Sequence, residues 1–219
     1  MSSYLLEIIV LLAGLILLVF EAFTAPKHKG RLATTAIFVL VLTLILLFFS
    51  KAGFGSENKE LSRFYAWDPM ARFFKGFTIL ATILTLFLAL DYRKVLSRFT
   101  ANPDSEDGTG EYYCLLLFAC AGMMWMASAK DLVSLFVSLE LTTITFYILV
   151  AFTRRSVGSL EAGVKYLILG ALSTGFLVYG IAWIYGATGT TELDLTIHAD
   201  PGDLAITKTI RFLGPNPQQ

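Results

Sequence analysis

Glu140 stands in LFVSLELTTITFYILVAF, residues 135–152, a run apolar enough to sit in a lipid bilayer. It lies nine residues past Asp131, about 13 Å along a helix. That depth is near the bilayer midplane, beyond the reach of a short side chain to water. A charge at the centre of a membrane helix costs roughly 2.5–3.5 kcal/mol on insertion scales. An ionisable side chain kept there marks a polar cavity or a proton relay. Ser138, Thr142, Thr143 and Thr145 surround it in sequence. Thr143 at i+3 and Tyr147 at i+7 share its helix face and are the candidates to hydrogen-bond the carboxylate or hold water beside it. The plainer alternative is a protonated glutamate serving only as glue between helices.

Lys165, in EAGVKYLILGALSTGFLVYGIAWIYG, is the second candidate. Glu161 at i−4 offers a helical ion pair, and a lysine one turn inside an apolar segment can snorkel to the interface. A helix starting near Val157 would bury it about 12 Å deep and strengthen a functional role. Gly163, Gly170, Ala171, Ser173, Thr174, Gly175 and Gly180 give this segment a small-residue surface, with AxxxG at Ala171–Gly175. Such a surface permits close helix packing, which would set Lys165 among neighbours. Burial raises a carboxylate's pKa and lowers an amine's, and an opposite charge does the reverse. A glutamate and a lysine sharing water can therefore exchange a proton with no metal or nucleophile.

The remaining ionisable residues have blander readings. Arg72 and Lys75, in DPMARFFKGF, are expected as interfacial anchors at the start of a helix, and Glu7 and Glu21 lie near the ends of another. Arg154 and Arg155 fit lipid headgroup contacts. His198 is alone in a polar stretch. Cys114 and Cys120 fall in one apolar segment, roughly 9 Å apart along a helix, too far for a mutual disulfide. No metal site is expected.

The elements that must position these residues follow from composition. The chain has 219 residues, 56% hydrophobic and 16% charged, with a mean hydropathy of +0.68. A soluble domain is about half apolar and a quarter charged, so the chain reads as an all-α polytopic membrane protein. Zero net charge and the absence of a basic tract exclude a nucleic-acid surface. A bilayer core takes roughly 20 apolar helical residues. Six segments qualify, at about 4–23, 32–50, 70–90, 112–129, 132–152 and 163–185, making a bundle over 1–187 followed by a polar tail over 188–219. The first lacks a basic leader and a cleavage motif, so it is expected to be retained. Lys130-Asp131 is a tight turn, and Asp91 to Glu111 a turn-rich loop. Lys and Arg divide evenly between the two sides. The compact KHKGR cluster in the first connection favours both termini outside.

SLEAGVKYLILGALSTGFLVYGIAWIYGATGTTEL closely resembles NADH-quinone oxidoreductase subunit N, an antiporter-like subunit of respiratory complex I. DLVSLFVSLELTTITFYILVAF fits the preceding helix of that family, and WDPMARFFK the start of its third. The likeness is dense from Lys130 to Leu193 and looser before. It implies a multi-pass subunit of a bacterial inner membrane, resembling the amino-terminal portion of the family. Such a subunit is a non-redox part of a proton-translocating NADH-quinone oxidoreductase. Glu140 and Lys165 match the family's fifth-helix glutamate and sixth-helix lysine. NADH, quinone, FMN and iron–sulfur clusters are expected in partner subunits and none in this chain. The expected partners are other membrane-arm subunits and the bilayer. The resemblance also implies a longer chain, continuing into a broken helix with a lysine central to the proton path. These residues are accordingly expected to be a fragment, a truncated reading frame or half of a split subunit. The alternatives are a subunit of a cation/proton antiporter or membrane-bound hydrogenase, or a non-transporting scaffold.

Overall fold

The computed structural model describes residues 4–24, 30–50, 64–98, 109–199 and 206–212. In chain order the elements are α1 (Leu5–Phe23), α2 (Gly30–Phe49), α3 (Pro69–Asp91), a short α4 (Arg93–Arg98), α5 (Thr109–Met126), α6 (Leu132–Val150), α7 (Val157–Thr188), β1 (Leu193–Ala199) and β2 (Ile206–Phe212). A helix lies over each of the six segments expected from sequence. The main change is at the last, which begins at Val157 rather than near residue 163 and runs for 32 residues. Ser156 caps its start by accepting from Ser159 N, and Gly189, at φ 70°, ends it in the left-handed conformation that glycine tolerates. A helix of that length extends about 48 Å, more than a bilayer core is thick.

Five of these helices, α1, α2, α3, α6 and α7, are long and apolar enough to cross a membrane. α5 carries Glu111, Tyr112, Tyr113 and Trp125 and is less apolar for a reason of position. It is the centre of the bundle, packed against α1, α3 and α6, and its surface meets protein instead of lipid. Tyr113, Cys114, Leu117, Cys120, Ala121 and Met124 are fully buried there. They meet Leu6 and Val10 of α1, Leu40 of α2 and Ile79 and Leu86 of α3 in one apolar core. The outer faces expose Phe23, Phe48, Phe77, Leu88 and Phe176, as a bilayer-facing surface requires.

Small residues set the closest approaches. A side chain at Gly14 would press on Phe118 and Leu117, and one at Gly122 would meet Thr142 Oγ1 and the backbone of Ser138 and Thr142. Hydroxyls inside apolar helices are satisfied locally. Thr43 donates to the Val39 carbonyl and Thr82 to the Thr78 carbonyl, each at 2.8 Å, so these buried hydroxyls are satisfied by their own helices.

One end of the bundle is stitched by backbone. Ala66 N donates to Ser128 O at 2.8 Å and Lys130 N to Phe64 O at 3.1 Å, while Leu132 N donates to Thr191 O at 2.9 Å and Leu193 N to Lys130 O at 2.8 Å. The tight turn between α5 and α6 is thus held between the segment entering α3 and the segment leaving α7. Asp131 caps α6, its Oδ2 accepting from Val133 N at 3.0 Å and Ser134 N at 3.1 Å. The tail carries a two-stranded antiparallel ribbon, with Leu193 opposite Phe212 and Ala199 opposite Ile206. The acidic NPDSEDG stretch and the carboxy-terminal residues of the expected tail lie outside the described residues.

Candidate functional site

Glu140 is half-buried at the interface of α6 with α7. Its Oε1 accepts a hydrogen bond from Thr174 Oγ1 at 2.8 Å. The two helices run antiparallel, and their contacts step along the seam. Gly163 faces Ala151 and Gly170 faces the Tyr147 hydroxyl; Thr174 then faces Glu140. The seam closes because Gly163 and Gly170 have no side chain to hold it open. An added Cβ would collide with Tyr147 of α6 at Gly170, and with Ala151, the residue that caps α6, at Gly163.

The other residues singled out from sequence fall along this seam with different roles. Thr143 Oγ1 donates at 3.2 Å to the main-chain carbonyl of Glu140, not to its carboxylate. Tyr147 packs edge-on against Tyr166, ring centroids 4.9 Å apart, between the levels of Lys165 and Glu140. Lys165 forms the expected helical pair with Glu161, at 2.6 Å, with side chains 70% and 61% exposed. Thr174, at Glu140, is nine residues beyond Lys165 on α7, about 13 Å along the axis. The structure therefore does not bring Glu140 and Lys165 into contact.

The small-residue surface of α7 was expected to place that helix, and Lys165 with it, inside the bundle. The described residues correct this. Only Gly163 of α7 is buried, and Gly175, Gly180 and Gly186 have nothing within 4 Å. The reason is geometric: α7 packs chiefly on α6, so one stripe of its surface meets protein and the AxxxG face points away.

A second correction concerns Lys75 and Glu7, expected as an interfacial anchor and a charge near a helix end. Both side chains are fully buried and form an ion pair, Lys75 Nζ to Glu7 Oε1 at 2.5 Å. Tyr65 Oη donates to the same carboxylate oxygen at 2.8 Å and accepts from Lys75 Nζ at 2.5 Å. The ammonium also lies over the Tyr65 and Trp67 rings, 4.5 and 4.6 Å from their centroids, a cation–π arrangement. Lys75 is six residues inside α3 from Pro69, about 9 Å deep; that depth was the available signal. Glu21, read the same way, is buried as well. Arg154 reaches Glu111 at 3.6 Å with both side chains exposed, a surface pair of little energetic weight. Cys114 and Cys120 are buried free thiols. Among the described residues no group of three or more His, Cys, Asp or Glu is placed to hold a metal ion.

An apolar fold with five helices long enough to cross a bilayer defines a multi-pass integral membrane protein. Residues 129–213 match the family described as NADH:quinone oxidoreductase/Mrp antiporter, TM. The chain is similar to NADH-quinone oxidoreductase subunit N of Trichlorobacter lovleyi, 40% identical over 187 residues, covering 85% of this chain and 36% of the relative. It is likewise similar to subunit N of Heliobacterium modesticaldum, 41% identical over 189 residues, covering 85% of this chain and 37% of the relative. A chain in the structure of respiratory complex I from Thermus thermophilus with bound aureothin superposes with a TM-score of 0.66 at 27% identity, covering 91% of this chain and 39% of that one. The chain thus spans little more than a third of the length of the curated relatives it matches.

Proposed function

We propose that this chain takes part in proton translocation as a membrane-arm subunit of an NADH-quinone oxidoreductase, with Glu140 as its switchable acid. The observation that carries the reading is the Glu140 carboxylate in mid-helix, met by the Thr174 hydroxyl across a glycine-lined seam. A carboxylate there is held at a cost that a merely structural side chain would avoid. A hydroxyl partner is suited to both of its states, since it donates to the ionised form and accepts from the protonated one. Tyr147, further along the same seam with its hydroxyl against Gly170, is in this reading a second hydroxyl between Glu140 and Lys165, and Lys165 tunes the seam from its outer end. Thr143 supports α6 locally through the Glu140 carbonyl. Electron transfer from NADH to quinone, with its FMN and iron–sulfur clusters, belongs in this reading to partner subunits of a bacterial inner membrane, and this chain is the non-redox part. The seam has hydroxyls, a carboxylate and an amine, and such groups move protons without a cofactor.

The experiment is Glu140→Gln in the assembled complex, reading protons moved per electron in sealed vesicles. Glutamine keeps the hydrogen bond from Thr174 and removes the exchangeable carboxyl proton. The expected result is loss of translocation with the complex intact; wild-type translocation would sink the reading. The family description also includes Mrp antiporters, which favours a second reading as a subunit of a cation/proton antiporter. Sodium-dependent movement of protons without an electron donor would select it.

A further inference from the structure

We propose that Glu7, Tyr65 and Lys75 form a second proton-exchanging site, separate from Glu140, at the end of the bundle that carries the amino terminus. The inference rests on the proton-moving reading above.

Three observations carry it. The first is the hydrogen-bond line from Lys75 Nζ to Tyr65 Oη, 2.5 Å, and from Tyr65 Oη to Glu7 Oε1, 2.8 Å, with Lys75 and Glu7 fully buried and Tyr65 buried. The second is that Glu7 Oε2, Ser128 Oγ and Asp131 Oδ1 are buried and have no hydrogen-bond partner among the described residues. These oxygens belong to one end of the bundle. Residues 64–66 pair with 128–130 through backbone, Tyr65 bonds Glu7, and Asp131 starts α6 in the same stitched turn. Orphaned buried oxygens of this kind are commonly met by ordered water. The third is energetic. A buried ion pair that serves only as a staple is matched or bettered by apolar side chains of similar volume, so two charges kept fully buried in a membrane helix bundle point to a use for their protons.

The step balances without an oxidant or reductant. One proton passes from Lys75 Nζ to the phenolic oxygen of Tyr65 as the phenol gives its own to Glu7 Oε1. A charged pair becomes a neutral amine and a neutral carboxyl. Water delivers a proton to the amine, the carboxyl releases one to water, and the charged pair is restored with one proton carried across. The aromatic faces of Tyr65 and Trp67 keep the nitrogen aimed while its charge changes.

The test places Glu7→Gln in the complete chain, assembled in its native membrane. Two quantities are read: protons moved per electron in sealed vesicles, and the turnover-minus-rest infrared difference spectrum in the carboxyl region, with deuterium exchange. The expected result is a deuterium-sensitive carboxyl band in the unmodified protein that disappears in the variant, with a lower proton-to-electron ratio. A spectrum unchanged by Glu7→Gln overturns the proposal. The double variant Glu7→Met with Lys75→Met keeps the packing volume and removes both charges. A structural staple predicts a wild-type ratio for it, which would also overturn the proposal; the exchange site predicts a lowered one. Glu140→Gln measured alongside separates the two readings. Loss with Glu140→Gln and none with Glu7→Gln sinks this inference alone, whereas the reverse sinks the Glu140 assignment and leaves this site standing.

Discussion

Removing one partner of a buried charge pair leaves the other uncompensated, which costs about 3–5 kcal/mol. Lys75→Met alone is therefore expected to destabilise the chain by that amount in thermal unfolding in detergent, more than Lys165→Met, whose pair with Glu161 is largely exposed and of little net value. Equal effects would show that the Glu7–Lys75 pair is not buried as described. Glu140 was legible from sequence because depth along a helix is a one-dimensional property: count residues from the turn, and the carboxylate is at mid-span. Its partner was not legible. Thr174 is 34 residues away in the chain and reaches Glu140 only through the register of two antiparallel helices. Thr143, the sequence neighbour, turns its hydroxyl back to its own helix, as threonines in apolar helices do.

Helices meet most closely where a glycine faces backbone. Gly122→Leu would force a side chain into Thr142 and the main chain of Ser138, and overpacking of that kind costs about 1–3 kcal/mol. Gly175→Leu, with nothing within 4 Å, is expected to change stability by less than about 0.5 kcal/mol, as surface substitutions do. Thermal unfolding of the two variants side by side checks the pair, and a cost at Gly175 equal to that at Gly122 would mean α7 is packed on both faces. Asp131→Ala removes the cap whose Oδ2 serves two amides of α6 and is expected to cost about 1 kcal/mol, read in the same assay. The long helices were legible because apolar runs as long as a bilayer needs are unambiguous, whereas the short α4 (Arg93–Arg98) lies in a stretch that reads as loop. The amino-terminal boundary of α7 was not, since GSLE reads as loop until Ser156 is seen to cap it.

At the scale of the molecule, the stitched end gathers the amino terminus, the turn at Ala127–Asp131 and the exit from α7, while the α6–α7 connection lies at the opposite end. α2 begins at that opposite end, where Leu32 and Glu21 lie beside Gly110, and the basic KHKGR run in the sequence just before and into α2 predicts that this end is inside by the positive-inside rule. Thr190→Cys is thus expected to react with a membrane-impermeant thiol reagent from outside in intact cells, and Gly158→Cys only after the membrane is opened. The native cysteines are buried and give a low background. Labelling in the reverse order would invert the orientation.

Composition and apolar run length by themselves determined that this chain is a helical membrane protein and that Glu140 falls in the middle of a helix, because lipid demands long apolar helices and tolerates few charges. The tertiary structure alone decided which charges meet. Lys75 and Lys165 look alike in sequence, each near the start of an apolar segment. One is enclosed by α1 and the aromatic segment entering α3, and the other projects from a helix covered on a single face. Pairing across distant segments depends on helix register and rotation, which are set by packing of glycines and core side chains against one another and not by the local run of residues.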